Sequence, residues 1–367
     1  MDSTYMYRAL ALAKLGTGYT NPNPLVGAVI VKNDSIIGEG YHRLYGGPHA
    51  EINAFSNATE SVGGATMYVT LEPCSHYGKT PPCAEAIVKK GIKKVIIAMK
   101  DPNPLVAGKG IQILKDAGIE VITGILEHQA KKLNEVFIKH ITTGLPFCVL
   151  KTAMTLDGKI AAATGESKWI TDETSRKYVH LLRHQYPTIM VGIGTVLADD
   201  PLLTTRLEGM QGRNPVRIVL DTHGKIPLES NILKCDTHKK TIVAVTELAD
   251  SKKIKSIEAA GAGVLMAPVK NNQVNLNYVM EWLGKNKFDS VLLEGGSTLN
   301  YTALQEGIVD KIITFIAPKI LGGTTAKTPV GGTGAAHICD AFLLENMEFF
   351  KLDNDLMVEA YIRKEVL

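Results

Sequence analysis

Short β-branched or apolar runs alternate with helical stretches along the whole chain, and a glycine stops several of those helices. Such alternation demands an α/β layer architecture, because each apolar run needs a helical face to bury against. The runs Leu25–Val31 and Ile36–Ile37 flank a turn at Asn33–Asp34, and Thr66–Leu71 and Val95–Met99 read as buried strands. A helix over Cys83–Lys90 stops at Gly91, another over Ile111–Asp116 precedes Gly118, and Val121–Ile122 begins a further strand. A helical stretch over Gln129–Ile141 ends in Thr-Thr-Gly-Leu-Pro, after which a second set starts. Its strands are expected at Phe147–Lys151, Thr188–Val191, Val216–Leu220, Thr241–Val245 and Ser290–Leu293, with helices at Glu173–His184, Asp250–Ala260, Leu276–Lys285 and Leu299–Glu306. Gly322–Gly323 and Gly331–Gly334 read as loops between strands. At about 150 residues per domain, the length allows two units, each with its own core. The break near Thr142–Pro146 divides them into 1–144 and 145–367.

Charge narrows the function. Residues 1–145 carry 15 basic and 12 acidic groups, and residues 146–367 carry 25 of each. Neither half has the concentrated positive field that avid nucleic-acid binding needs, although small anionic substrates remain open to both. Aromatic residues are 6% of the chain, and no aromatic-plus-basic stripe interrupts it. The longest uncharged run, Leu15 to Val31, has 17 residues broken by Pro22, Pro24 and three glycines, whereas a membrane-spanning helix needs about 20 mostly apolar residues. Arg8 and Lys14 interrupt the N-terminal apolar positions, so no signal peptide is read there. Five scattered cysteines fit a reducing compartment better than a disulfide framework. The expectation is a soluble, cytoplasmic protein with no nucleic-acid or membrane partner. The sequence is silent on oligomeric state and leaves a homo-oligomer open.

One constellation carries metal chemistry. Residues 49–51 read His-Ala-Glu, and residues 72–83 run from Glu-Pro-Cys to a second Cys. His49, Cys74 and Cys83 supply one imidazole and two thiols, the three ligands a catalytic zinc uses while keeping one position for water. Zinc brings the pKa of such a water toward neutrality. Glu51, two residues from His49, is placed to move protons between water and a leaving amine. Singly, each of these residues is a common core side chain; the ordered set is the signature of zinc-dependent nucleobase deaminases. The set departs from that signature in one respect, since eight residues rather than two separate the cysteines. The intervening loop, Ser75–Pro82, holds His76, Lys79 and Thr80, donors suited to an anionic group such as a phosphate.

The C-terminal half announces its reaction less clearly. Gly192-Ile-Gly194 follows a strand but lacks the third glycine of a dinucleotide fingerprint. Leu292-Leu-Glu294-Gly-Gly-Ser-Thr298 is more informative: an apolar strand, a glycine pair, then a helix start whose N–H groups suit a phosphate or pyrophosphate.

Taken with Asn23-Pro-Leu-Val-Gly, Asp101-Pro-Asn103-Pro, Lys151 through Asp157-Gly-Lys and Ser167-Lys-Trp169-Ile-Thr171, these motifs make the whole chain resemble the bifunctional deaminase/reductases of riboflavin biosynthesis. The eight-residue cysteine spacing is typical of that family. The resemblance implies an N-terminal cytidine-deaminase-like three-layer domain followed by a dihydrofolate-reductase-like α/β domain. It implies zinc-dependent removal of an amino group from 2,5-diamino-6-ribosylamino-4(3H)-pyrimidinone 5′-phosphate, then NADPH-dependent reduction of the ribosyl group to ribityl. By the family pattern, Asn23, His42, Ala50, His76, Lys79, Asp101 and Asn103 line the deaminase pocket. Lys151, Ser167, Arg183, Leu203, Arg206 and Glu294 would face the reductase substrate, with Lys151 and Glu294 as alternative proton donors. Ala153, Trp169, Thr171, Thr195, Asp199, Thr222, Gly296, Ser297 and Thr298 would face the nucleotide cofactor. Two other readings stay open at this point: a deaminase whose second domain is inert or serves assembly, and a deaminase acting on nucleic acid.

Overall fold

A computed structural model describes residues 2–75, 81–103, 106–209, 211–234 and 241–363. The chain divides into two compact units, Met1–Leu145 and Pro146–Leu367. No helix among the described residues is long and apolar enough to cross a membrane.

The first unit runs α1 (Asp2–Lys14), β1 (Gly27–Lys32), β2 (Ser35–Tyr41), α2 (Ala50–Ser56), β3 (Thr66–Leu71), α3 (Cys83–Lys89), β4 (Lys94–Met99), α4 (Lys109–Asp116), β5 (Glu120–Thr123), α5 (Glu127–Leu133) and α6 (Glu135–Thr143). Its sheet has the order β2-β1-β3-β4-β5, antiparallel through β1 and parallel from β3 to β5. Alternate residues of each central strand point to opposite faces. Ala28, Ile30, Met67, Val69, Val95 and Ile97 pack against α2, α3 and α4. Val29, Val31, Tyr68, Ile96 and Ala98 pack against α1 and α5, with Phe137 and Ile138 of α6 alongside. Both faces of the sheet are therefore buried, which makes three layers and explains why β3 and β4 read as continuous apolar runs.

The single helix expected over Gln129–Ile141 is two helices. Asn134, 2% exposed, interrupts it: its side chain accepts from the Leu25 N–H at 2.8 Å and donates to the Leu25 carbonyl at 3.0 Å. This pair fixes the chain just after Asn23 against the sheet.

The second unit contains β6 (Phe147–Thr155), α7 (Glu173–Gln185), β7 (Thr188–Gly192), α8 (Ile193–Asp199), β8 (Val216–Leu220), α9 (Asn231–Lys234), β9 (Thr241–Val245), α10 (Ser251–Ala259), β10 (Gly263–Met266), β11 (Val269–Lys270), β12 (Gln273–Val274), α11 (Leu276–Lys285), β13 (Ser290–Leu293), α12 (Ser297–Gln305), β14 (Lys311–Ala317), β15 (Leu344–Leu352) and β16 (Asp355–Ile362). The main sheet has the order β10-β9-β8-β7-β13-β6-β14-β16-β15. It is parallel from β10 to β14, and an antiparallel hairpin of β15 and β16 closes one side. The expected strands stop at Ser290–Leu293; the structure adds three beyond it. Residues of β15 are exposed on both faces up to Lys351, so the strand lacks the inside–outside alternation that marks a half-buried strand. β13 enters between β6 and β7, so loops after β7 and β13 meet at a crevice where the strand order reverses, the usual place for a ligand in such sheets.

Replacing Asn134 by Ala removes the side-chain partner of the half-buried Leu25 N–H and carbonyl. We expect the unfolding transition of the N-terminal unit to lose about 2 kcal/mol, read by thermal or urea denaturation.

Candidate functional sites

In the first unit, three element ends converge. His49 is the residue before α2, Cys83 opens α3, and Cys74 follows β3 by three residues. The Nδ1 of His49 lies 3.5 Å from Cys74 Sγ and 3.3 Å from Cys83 Sγ. The three ligand atoms fall within 4.8 Å of one another. The Cys83 backbone N–H donates to Cys74 Sγ at 3.3 Å, a contact that orients a sulfur ligand. Hydrogen bonding from the Cys83 thiol and from His49 lowers the Cys74 pKa, moving this thiol toward the thiolate that a zinc ligand must be. A tight, partly buried set of one nitrogen and two sulfurs fits zinc with an open position.

Glu51 sits in the first turn of α2, 3% exposed. Burial raises its pKa above the ordinary carboxylate range, and the negative charge of Cys74 pushes the same way. A carboxyl group poised to take up and release a proton is what general acid–base catalysis at neutral pH needs. His42 packs edge-on to His49, with ring centroids 5.5 Å apart. Its Nδ1 lies 3.0 Å from the Pro48 carbonyl, which can only accept, so Nδ1 carries the hydrogen. Nε2 therefore accepts from Asn23 Nδ2 at 3.2 Å. Burial lowers the His42 pKa, which keeps the ring neutral in this arrangement.

In the second unit, Glu294 lies one residue past β13 with its side chain 8% exposed. Lys151 of β6 reaches its Oε2 at 2.9 Å. Arg183 of α7 grips both oxygens, Nε to Oε1 at 2.8 Å and Nη2 to Oε2 at 2.9 Å. Burial alone would raise the pKa of Glu294, but the charges of Arg183 and Lys151 outweigh it and hold the carboxyl well below the usual range. Glu294 is thus a fixed anion between two cations.

Arg183 Nη1 also donates to the Thr204 carbonyl at 3.3 Å. His180 Nδ1 lies 3.2 Å from that carbonyl, and Arg206 Nη2 lies 3.4 Å from His180 Nε2. Burial, with Arg183 and Arg206 nearby, lowers the His180 pKa to about 4. A neutral ring can accept from the Arg206 guanidinium at Nε2, while its Nδ1 faces both the Thr204 carbonyl and the Arg206 backbone N–H, which lies 3.3 Å away.

At the crevice, a Cβ added to Gly296 would come within 3.9 Å of Thr195 Oγ1, so the loops after β7 and β13 face each other. Gly296 is the N-cap of α12, and no side chain caps the N–H groups of that first turn. Asn300, 1% exposed, keeps its Oδ1 unpartnered in the same turn. Open backbone donors beside a glycine pair fit a phosphate-bearing dinucleotide.

Residues 1–99 match the cytidine and deoxycytidylate deaminase zinc-binding region, and residues 146–358 match the RibD C-terminal domain. A riboflavin biosynthesis protein RibD from Actinobacillus pleuropneumoniae is 48% identical over 361 residues, covering 98% of this chain and 95% of that one. The RibD of Aquifex aeolicus is 42% identical over 358 residues, 98% of each chain. The chain belongs to the RibD family. Among solved structures, Acinetobacter baumannii RibD superposes with a TM-score of 0.87 at 41% identity over 99% of both chains. A diaminohydroxyphosphoribosylaminopyrimidine deaminase/5-amino-6-(5-phosphoribosylamino)uracil reductase from Thermotoga maritima gives 0.84 at 40% identity, also over 99% of both. The fold is that of RibD: a cytidine-deaminase-like unit followed by a reductase unit.

Within this RibD fold, the structure gathers His49, Glu51, Cys74 and Cys83, with Asn23 and His42 beside them and Ala50 buried at the start of α2. Asp101 and Asn103 follow β4, and Asp101 Oδ1 accepts from the Asn103 N–H at 2.9 Å. His76 and Lys79 lie outside the described residues. In the second unit, Lys151, Arg183 and Glu294 form one cluster, which Leu203 and Arg206 join through the Thr204 loop. Ala153 stands two residues after Lys151 on β6, and Thr222 follows β8 by two residues. Ser167 Oγ donates to Asp199 Oδ1 at 3.2 Å. Trp169 is 66% exposed, with the Arg176 guanidinium 4.7 Å from its ring centre; Arg176 also donates to the Thr171 carbonyl at 2.6 Å. Ser297 and Thr298 open α12, but Ser297 Oγ donates to the Thr328 carbonyl, so its hydroxyl is already engaged. Sequence reasoning missed His180 and Arg176, whose work is to hold Arg206 and Trp169. Only spacing on α7, where His180 and Arg183 share a face with Arg176, signals them.

Cys74→Ser or Cys83→Ser is expected to reduce zinc content, measured by atomic emission on purified protein, from stoichiometric to a trace. NADPH-dependent reduction of already deaminated substrate should persist, because His49, Cys74 and Cys83 all lie in the first unit.

Proposed function

We propose that the chain performs two successive steps of riboflavin biosynthesis, deamination by residues 1–144 and reduction by residues 145–367. The substrate of the first is 2,5-diamino-6-ribosylamino-4(3H)-pyrimidinone 5′-phosphate, and the second reduces the ribosyl group of the deaminated product to ribityl. The observation that carries this reading is the pairing of a His49/Cys74/Cys83 cluster beside buried Glu51 with a Lys151–Glu294–Arg183 cluster in a separate unit.

His49, Cys74 and Cys83 would hold zinc, which would supply activation of water at neutral pH. Glu51 takes the proton released by water as it adds to the ring carbon, and delivers a proton to the departing amino group, which leaves as ammonia. Asn23 presents an amide whose orientation is set by neutral His42, while Asp101 and Asn103 face the pyrimidine. In the second unit the first turn of α12 would hold the phosphates of NADPH, which would supply the hydride. Arg206, kept beside a neutral imidazole, binds the substrate phosphate. Glu294 is held as a carboxylate, so it orients the sugar and does not donate a proton. That leaves the Lys151 ammonium as the donor to the ring oxygen when the sugar opens.

The four described cysteines, Cys74, Cys83, Cys148 and Cys339, form no disulfide among the described residues, which supports a reducing cytoplasm. A second copy of this chain is the partner we assign to β15. Ile338 (95% exposed), Phe342, Leu343, Leu344, Met347, Phe349 and Phe350 put exposed apolar side chains on and just before β15, which ends the described sheet with one edge unpaired. Phe349→Lys should then shift the chain toward monomer in sedimentation; a monomeric parent chain refutes the assignment.

Glu51→Gln tests the whole reading. It keeps shape and zinc but removes the proton carrier, so ammonia release should fall by about 10²–10⁴-fold while NADPH oxidation with deaminated substrate is unchanged. Near-normal ammonia release would remove Glu51 from the reaction. In the same assay Gly296→Val should raise the KM for NADPH, because a branched side chain would stand where backbone must approach phosphate.

A further inference from the structure

The carboxylate of Glu72 takes part in neither reaction as described, yet it accepts four backbone hydrogen bonds. Glu72 follows the last residue of β3 and precedes Cys74 by two; it is 4% exposed. Its Oε2 accepts from the N–H groups of Asp101 at 3.2 Å and Gly108 at 3.0 Å. Its Oε1 accepts from Gly110 at 3.0 Å and Ile111 at 3.2 Å. Gly110 and Ile111 lie in the first turn of α4, whose own N-cap, Gly108, has no side chain to offer. Glu72 therefore caps α4 from another element, with its negative charge at the positive end of the helix dipole.

The donors bracket a loop. Asp101 at its start and Gly108 at its end rest on the same carboxylate oxygen, so the ends cannot part while that oxygen holds both. Asp101 passes the constraint to Asn103 through the 2.9 Å bond to its N–H. On the other side of the clamp, a Cβ at Gly110 would stand 2.0 Å from the Pro73 carbonyl oxygen, so the start of α4 presses on the residue bonded to Cys74. One buried carboxylate thus ties the metal-ligand segment and the 101–108 loop into a single piece.

We propose that Glu72 is a positioning residue for deamination: it sets Asp101 and Asn103 at a fixed distance from the metal ligand Cys74, and so sets the pyrimidine against the metal site. The proposal rests on the reading above that Asp101 and Asn103 face the substrate. Displacing a positioning group by about 1 Å can cost a reaction on the order of a hundredfold.

A double-variant cycle on the full-length, zinc-loaded chain tests it, with wild type, Glu72→Gln, Asn103→Ala and the pair. Gln keeps the volume of Glu but turns an NH₂ group toward backbone N–H donors. For each protein the kcat and KM of ammonia release, the zinc content and the reduction of deaminated substrate by NADPH are measured. Glu72→Gln should lower kcat/KM for deamination on the order of tenfold to a hundredfold, with zinc content and reduction unchanged. In the Asn103→Ala background its further effect should be smaller than in wild type, because the part of the Glu72 effect that acts through Asn103 is already gone and only the part that acts through Asp101 remains. Additive losses, or zinc lost in step with activity, overturn the proposal and make Glu72 a stabilising or metal-supporting residue. Wild-type deamination by Asn103→Ala refutes instead the reading that Asn103 faces substrate, and the proposal falls with it. If Glu72→Gln does not fold, Glu72→Asp, which keeps the charge and shortens the reach, takes its place in the same cycle.

Discussion

A carboxylate taken out of water must find strong partners or give up its charge. This chain buries one at the corresponding place in each unit, one residue past the end of a central parallel strand: Glu72 after β3 and Glu294 after β13. The two are satisfied differently. Glu72 collects four backbone N–H groups, two of them from the first turn of α4. Glu294 collects two cations. Backbone donors make a rigid brace that holds a loop, whereas Lys151 and Arg183 build a charged centre that a substrate can use. The placement of both sites follows from what these two anions gather.

The location follows from sheet topology. In a parallel sheet the strands deliver their following loops to one edge, and helix N-termini start there with unpaired N–H groups. In the first unit the ends of β3 and β4, paired at Leu71 and Met99, bring Cys74 and Asp101 to that edge. In the second, β13 inserted between β6 and β7 brings Glu294 next to Lys151 and the glycine turn next to Thr195. The remaining polar contacts orient side chains within that frame: neutral His42 for Asn23, and neutral His180 for Arg206. Burial and the neighbouring charges of Arg183 and Arg206 keep the second ring unprotonated.

The metal ligands were legible because each sits at the end of an element that announces itself. His49 precedes a short helix, Cys83 opens another, and Cys74 follows an apolar strand, so local order alone brings them into one pattern. Glu72 was visible as a letter in the Glu-Pro-Cys segment, but its partners are backbone groups 29 to 39 residues away, which carry no side-chain signal. The helix break at Asn134 was hidden for the same reason, since its partner is the backbone of Leu25, 109 residues distant. Strand β15 escaped notice because nothing on either face is buried, so no alternation marks it.

The resemblance to a known family implied that Lys151, Arg183 and Glu294 belong to a second site; the sequence by itself determined the α/β class, the two-part organisation and the ordered set of His49, Glu51, Cys74 and Cys83. These are properties of residue type and local spacing, which survive without knowledge of the fold. Only the tertiary structure decided how those residues meet. It made Glu294 a fixed anion by closing two cations on it from 111 and 143 residues away. It likewise turned Glu72 into a clamp. Ionisation and orientation depend on desolvation and on partners in space, and neither quantity exists until the chain is folded.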